Sequence, residues 1–364
     1  MAKSLFDFFP PPDYLLMPAV GLDISDRSIK FFELKRKNGG FSVSKFGSRN
    51  LPPGIVESGE IKQKEKFVDF LKSIKDELGV KFVNVSLPEE RAFLSRVKIP
   101  TAKEEELRGI LEFQLEEHIP LSAQDAVFDF EVVEKEDAGK KSEFLNVNIV
   151  AFPKALVENY KDAFTEAGFV PLVFEMEAYA SARVIMPEEE KNFCFIVDMG
   201  KTRTTFAIVG ERTMQFASTI KIGGDNFDTV LVKNLDISQL KAEEIKKERG
   251  LVRSKDNEKI FNFLLPTAAA VKDEISRHII FWNSHMEGSD AEKTISKIIL
   301  CGGEANLKGL PEYLSHELKL PVEPSNPWVN LISFEKEIPE LGIEESLGYA
   351  VAMGLSYRSF YKKK

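Results

Sequence analysis

The sequence predicts an α/β protein of two related domains, with a small α+β segment inserted into the first. Three observations lead there. The chain has 364 residues, 43% hydrophobic and 29% charged, which is folded rather than disordered in composition and more than one ordinary core accommodates. Residues 19–34 and 193–209 repeat one plan: an apolar strand with an aspartate at its end, a polar turn, then a strand carrying phenylalanine. Each half also holds a helical stretch with small residues on one face, at 177–183 and 345–352, as two helices that cross closely require.

Residues 1–18 form an aromatic, proline-rich tail without the basic-then-apolar order of a secretory signal; Phe6, Phe8, Phe9 and Tyr14 suit a membrane surface, a partner or the tail's own domain. The first domain, 19–190, opens with a strand at 19–24, the turn Ser25-Asp26-Arg27-Ser28 and a strand at 29–34. A Gly39-Gly40 turn leads to a strand at 41–46, and Leu51-Pro52-Pro53-Gly54 breaks the chain. Phe67, Phe70, Leu71, Ile74 and Leu78 fall on one face of a helix over 65–78, before a strand at 81–86. The insertion, about 89–168, reads strand 92–99, helix 103–117, strand 126–133, charged loop 134–142, strand 143–152 and helix 154–167. The second domain, 191–343, has strands at 193–197, 204–209 and 215–220, and a helical subdomain at about 225–292. A strand at 298–300 and a helix at 310–318 follow, and a helix over 344–357 returns the end of the chain, 344–364, to the first domain.

Several function classes are excluded. A diffuse net charge of −9 lacks the basic stripe of a nucleic-acid binder, and Lys362-Lys363-Lys364 is a frayed end. Cys194 and Cys301 sit in apolar runs as reduced core thiols, and the four histidines lack metal-ligand spacing. No segment reaches the roughly 20 apolar residues of a membrane helix. There is no P-loop, no Gly-x-Ser-x-Gly and no Cys–His nucleophile pattern.

The paired turns carry chemistry. A tight turn presents backbone N–H groups to an anion. The first adds Ser25, Ser28 and Lys30; the second offers Gly200, Lys201, Thr202 and Thr204. Asp23 and Asp198, at the two strand ends, suit a hydrated magnesium ion, which keeps several waters. Facing each other, such turns would clamp two phosphates and their metal. Gly223-Gly224, between a strand and a helix, and Gly302-Gly303, at the end of another strand, allow backbone to approach a ligand closely. Singly, each has a plainer explanation: an aspartate there makes an Asx turn, a glycine pair makes a strand-to-helix turn, and 242–250 is a solvated charged helix end.

In this order the elements resemble the actin and sugar-kinase superfamily. Gly21-Leu22-Asp23 through Lys30 is similar to its first phosphate motif, 175–184 to its first connecting helix and Val197-Asp198-Met199-Gly200 through Thr205 to its second phosphate motif. Residues 301–307 are similar to its adenosine motif, and 345–355 to its second connecting helix. Within the superfamily the chain resembles the PilM family of cytoplasmic type IV pilus assembly proteins, relatives of the division protein FtsA. Residues 51–61, then 99–107 with Glu116-Glu117-His118-Ile119-Pro120-Leu121 and Phe128-Asp129-Phe130, and Glu175-Met176-Glu177-Ala178-Tyr179-Ala180 carry that likeness.

The resemblance implies an actin-like (ribonuclease H-like) fold binding ATP with magnesium. Asp23 and Asp198 would order magnesium waters. Ser25, Ser28, Lys30, Gly200, Lys201 and Thr202 would contact phosphates, with Gly223 and Gly224 near the ribose and phosphates. Glu243, Lys246 and Lys247 would edge the adenosine pocket, and Gly302, Gly303 and Asn306 would cover the base. Glu177 would position the attacking water. It implies as partner the N-terminal cytoplasmic peptide of the inner-membrane protein PilN, seated between the insertion and the first domain, with padding of the fold or self-association as the insertion's other roles. The chain is thus expected in the cytoplasm, held to the inner-membrane assembly platform by its partner. Two departures argue for slow hydrolysis: a first turn without glycine that carries Asp26, and a second with the extra charges Lys201 and Arg203. A small-molecule phosphotransferase akin to sugar or acetate kinases would need an acceptor base facing the cleft; no residue stands out as one, though Asp198 occupies a position that could serve. An FtsA-like filament protein is the third reading, and it usually ends in a membrane helix, where this chain stops at Lys364.

Overall fold

A computed structural model describes residues 18–37, 40–133, 143–284, 294–335 and 337–361. The tail up to residue 17, the loop 134–142 and the terminal lysines lie outside the described residues. The first domain begins with β1 (Val20–Ile24), β2 (Ser28–Lys37), β3 (Gly40–Asn50), the short pair β4 (Val56–Glu57) and β5 (Glu60–Ile61), α1 (Lys64–Leu78) and β6 (Phe82–Leu87). The inserted segment follows as β7 (Phe93–Pro100), α2 (Glu104–His118), β8 (Ala126–Val133) and β9 (Phe144–Pro153). Next come α3 (Lys154–Glu166), β10 (Val170–Met176) and α4 (Glu177–Ile185). The second domain contains β11 (Phe193–Met199), β12 (Thr204–Gly210), β13 (Thr213–Ile220), α5 (Gly224–Leu235), α6 (Gln239–Arg249) and α7 (Glu258–Ser284). It ends with β14 (Ile295–Cys301), α8 (Leu310–Leu318), β15 (Val322–Pro324), α9 (Ile343–Ser346) and α10 (Ala350–Arg358).

The two large sheets share one topology, the three-dimensional form of the echo in the sequence. One runs β10-β6-β1-β2-β3 and the other β15-β14-β11-β12-β13. In each, three consecutive strands meander antiparallel and two later strands add parallel to the first. All five residues of β1 are buried, as expected of a strand covered on both faces. Phe67, Leu71 and Ile74 of α1 pack with Tyr160 and Phe164 of α3 against one face of the first sheet. The other face meets α10.

The insertion closes around a core of its own. Leu107, Leu111 and Leu115, one per turn of α2, cover Val97, Ile99, Val147 and Ile149 of the β7-β9-β8 sheet. That core is narrower than 89–168, because α3 buries Leu156, Tyr160, Ala163 and Phe164 in the first domain. The insertion also reaches the second domain: Asn148 Nδ2 donates to the Met214 carbonyl at 2.8 Å, and Arg96 binds Thr213 and Gln215.

The two connecting helices cross as their small residues require. A Cβ on Gly354 of α10 would overlap the Ala180 carbonyl of α4, and one on Gly21 of β1 would overlap the Ala352 carbonyl. Around this crossing lies an apolar seam shared by both domains: Phe32 and Leu34 from one sheet, Ile196 and Ala207 from the other, with Trp328 and Met353.

Among the departures from the sequence reading are a strand and a helix break. Strand β10 lies in a stretch to which the sequence reading assigned no element, and its register shifts at a bulge between Pro171 and Val173. The single helix over 344–357 is interrupted at Leu347–Tyr349 by a 3₁₀ turn. The carbonyls freed there have outside donors: Leu347 O accepts from Gly302 N at 3.0 Å, and Gly348 O from Lys30 Nζ at 2.6 Å.

Candidate functional site

Opposite the seam, the ends of β1 and β11 bring the two predicted turns together. Asp23 stands beside Lys30 in the ladder, Asp198 beside Thr205 and Cys301. Ser86, at the end of β6, donates its hydroxyl to Asp23 at 3.2 Å. Burial raises the Asp23 carboxyl, with Lys30 and Arg203 pulling against it. Burial and the charge of Asp23 push Asp198 up to about 6. Two buried carboxylates, one raised by the other, disfavour their own ionised forms. A hydrated divalent cation would relieve both, so the pair fits magnesium.

The first turn is closed on itself. Ser25 N donates to Ser28 O at 2.9 Å, the two hydroxyls lie 3.2 Å apart, and Ser28 N donates to Ser25 Oγ. Asp26 points away from this turn and accepts from the backbone of Ser58 and Gly59. In the second turn Gly200 N donates to Arg203 O at 2.9 Å. The same turn docks on the start of α5, where Gly224 N donates to Gly200 O and Asp225 N to Lys201 O. Thr202 sits half-buried at its tip.

The glycines divide. A Cβ on Gly223 would meet the backbone of Gly200, Lys201 and Arg203 at 2.7 Å, and one on Gly224 would overlap the Glu304 carboxylate. Packing against the turn and Glu304 therefore already requires both. Gly302 has φ +84 and lies against Asp198, whereas a Cβ on Gly303 would meet nothing within 4 Å. Gly303 thus presents bare backbone to open space, which suits a flat ligand.

Three charged residues expected at the adenosine pocket behave differently. Glu243 lies between Lys201, at 3.0 Å, and Lys247, at 2.8 Å, which hold its carboxyl down at about 2. Lys246 turns inward instead, fully buried, pairing with Asp228 at 2.9 Å and Glu304 at 2.8 Å. Asn306 is exposed and donates to the Glu344 carbonyl at 2.6 Å. Lys30, expected on a phosphate, holds the Gly348 carbonyl.

Glu177, at the start of α4, does face the cleft, yet it is engaged. Arg203 reaches from the second turn to Glu177 Oε1 at 2.6 Å, to Glu90 at 3.1 Å and towards Asp26 at 3.8 Å. Burial pushes Glu177 well up, opposed by Arg203 and reinforced by Asp23, Glu89 and Glu90. Glu89 accepts from Ala178 N at 3.2 Å, and burial takes its carboxyl up to about 7. A second cross-cleft pair, Arg27 with Asp225 at 3.1 Å, closes the other edge. The sequence marked Arg203 only as an extra charge. Nothing local signals Glu89 and Glu90 as its neighbours, since a sheet strand and the insertion's entrance bring them there.

The geometry has counterparts among solved structures. The "PilM-PilN type IV pilus biogenesis complex" matches with a TM-score of 0.80 at 21% identity, over 95% of this chain and 100% of that one. The ethanolamine utilization protein EutJ from Carboxydothermus hydrogenoformans matches with 0.55 at 13%, over 95% and 93%. MreB5 of Spiroplasma citri, bound to ADP, matches with 0.54 at 16%, over 92% and 94%. These likenesses establish an actin-like fold. The profile described as type IV pilus assembly protein PilM matches residues 21–360, nearly all of the described chain. This chain therefore belongs to the PilM family of type IV pilus assembly proteins.

Proposed function

We propose that the protein is an ATP-binding, actin-like component of type IV pilus assembly that seats the N-terminal cytoplasmic peptide of PilN. It works in the cytoplasm and is held at the inner face of the membrane by that partner. The observation that carries this reading is family membership over residues 21–360. The solved PilM relative is a complex with PilN, and the MreB5 relative is bound to ADP. Among the described residues no helix is long and apolar enough to cross a membrane.

In this reading Asp23 and Asp198 hold magnesium through its waters, with the metal, when bound, neutralising phosphate oxygens. Ser25, Ser28 and the backbone of Gly200, Lys201 and Thr202 line the phosphates. Gly302 and Gly303 lie against the base, with Glu243 and Lys247 at the pocket's edge. Lys30 and Lys246 support the site from behind through Gly348 and Glu304. Glu177 is the residue to position an attacking water, and its pairing with Arg203 agrees with slow turnover. The PilN peptide sits between the insertion and the first domain, where two separately packed cores meet.

A thermal-shift titration tests both ligands. Saturating Mg-ATP and a synthetic PilN N-terminal peptide should each raise Tm, because a ligand bound only by the native state stabilises it by mass action. Asp198→Ala should shrink the Mg-ATP shift and leave the peptide shift intact. Hydrogen exchange should place the peptide's footprint on the insertion and the adjoining first domain. A peptide with no effect at saturating concentration would remove PilN as the partner. The same result for Mg-ATP would remove the nucleotide.

A further inference from the structure

We propose that Arg203 is a cationic latch: it closes the cleft by clasping Glu90 and Glu177 of the first domain and thereby holds Glu177 out of hydrolysis. The proposal rests on the cleft being the nucleotide site.

Arg203 belongs to the second domain by sequence and backbone. It sits just before β12, and its carbonyl closes the second turn through Gly200 N. Among the described residues, its side-chain ion pairs all lie in the first domain. Glu177 Oε1 is at 2.6 Å, Glu90 Oε2 at 3.1 Å from Nε, Glu90 Oε1 at 3.2 Å from Nη1, and Asp26 at 3.8 Å. The guanidinium is about nine-tenths buried, so water does not screen these pairs as it would at the surface. Nη1 donates to Glu90 Oε1 at 3.2 Å, and Nε lies 3.1 Å from Oε2 as an ion pair, so one planar guanidinium meets Glu90 and Glu177 together, which the single ammonium of a lysine does less well.

Each carboxylate is fixed to a different part of the first domain. Asp26 belongs to the first turn and is held by Ser58 N and Gly59 N. Glu90 lies in the turn that leads into β7, the first strand of the insertion. Glu177 opens α4, one of the two crossing helices. One guanidinium therefore gathers the phosphate turn, the insertion's entrance and the connecting helix onto the second domain. The other cross-cleft pair, Arg27 with Asp225, is far more exposed and contributes little by comparison.

The latch also decides what Glu177 can do. In hydrolysis the attacking water's oxygen would bond to the γ-phosphorus as the bond from that phosphorus to the ADP oxygen breaks, and Glu177 would take the water's proton. With Oε1 accepting from Arg203 Nη2 at 2.6 Å, that oxygen is already occupied and cannot take a hydrogen bond from an attacking water. Glu177 is released only when Arg203 withdraws, and that opens the cleft in front of the seam. The closed chain then holds nucleotide without consuming it.

The test compares the full-length wild type with Arg203→Ala, Arg203→Lys and the double variant Arg203→Ala/Glu177→Gln. Without nucleotide, hydrogen exchange at Ala178, Ser58 and Gly59 should rise at least tenfold in Arg203→Ala and less in Arg203→Lys. Amides of the apolar seam, such as Ala207 and Met353, should stay protected. With Mg-ATP, turnover per bound nucleotide should rise at least tenfold in Arg203→Ala and fall back in the double variant. A folded Arg203→Ala with wild-type exchange and turnover overturns the latch. Should that variant not fold, Arg203→Lys decides, and wild-type values in both measurements overturn the proposal. If exchange rises as expected but the wild type shows no Mg-ATP thermal shift, the latch stands and the nucleotide reading fails.

Discussion

Replacing Asp198 by asparagine should change how stability depends on pH, and the structure sets both sign and size. Asp198 titrates at about 6 in the fold against an ordinary 3.8, chiefly through burial and then through Asp23. Glu89 titrates at about 7 against 4.5, again chiefly through burial. A carboxyl with a raised folded pKa keeps its proton more firmly when folded. Its contribution is most favourable below the unfolded value and is lost as pH rises through the folded value. At about 1.4 kcal/mol per tenfold change in an equilibrium, each group costs ~3 kcal/mol at neutral pH. The ligand-free protein should therefore lose stability between about pH 4 and pH 7 and level off above. Glu243, held near 2, acts in the opposite sense, but only below its ordinary 4.5, outside this window. The assay is urea unfolding at a series of pH values without divalent cations. Asp198→Asn should lose part of the slope, the rest belonging to Glu89, Asp23 and Glu177, and gain up to ~3 kcal/mol over the wild type at pH 7.5, with no gain near pH 4. Magnesium with ATP should recover stability in the wild type at pH 7.5 and much less in the variant. A wild type whose stability rises from pH 5 to pH 7.5, or a variant with the wild-type slope, would refute the argument that these carboxylates are buried against each other.

The helix crossing and the buried lysine give further tests by equilibrium unfolding. Gly354→Ala puts a methyl into the Ala180 carbonyl, a backbone atom that cannot step aside, and should cost at least the ~1–3 kcal/mol usual for overpacking. Gly109→Ala, in α2 with open space at its Cβ, should instead stabilise by ~1 kcal/mol, so equal effects would contradict the crossing geometry. Lys246→Ala strands Asp228 and Glu304 in the interior and should cost ~3–5 kcal/mol even without nucleotide. A loss seen only in nucleotide affinity would move Lys246 back to the pocket's edge.

What could be read from residues alone follows from how local each feature is. The strand-turn-strand units around Asp23 and Asp198 are encoded within a few residues, so their existence and their kinship were visible before the sheets were. The helix at 310–318 and the strand at 126–133 coincide with their observed bounds. Strand β10 carries Pro171, which weakens a strand pattern, and the bulge that accommodates it is not written in the local sequence. The break in the last helix was hidden for a different reason. Glu344 to Tyr357 still reads as one helix although Gly348 weakens it at the break, and it is the distant donors Gly302 N and Lys30 Nζ that hold two carbonyls turned outward there. Charge placement was the least legible. Lys246 and Lys247 are neighbours in sequence, yet one is fully buried and the other exposed.

The two faces of the domain junction differ in kind, and that difference bears on how the molecule works. Behind the cleft, Phe32, Leu34, Ile196, Ala207, Trp328 and Met353 form one apolar seam, and α4 and α10 cross with no room for a side chain at Gly354. Apolar attraction is non-directional and hardly depends on salt or pH. In front, the domains meet through Arg203, Arg27 and the carboxylates they hold. Those contacts depend on protonation, on ionic strength and on any cation entering between Asp23 and Asp198. The seam can thus keep the two domains as one body while the charged face sets how closed the cleft is. The second sheet's edge strand β13 also carries the insertion, through Asn148 on the Met214 carbonyl, so a change at the cleft reaches the insertion by two routes. One is this edge, and the other is Glu90, which binds Arg203 and leads directly into β7.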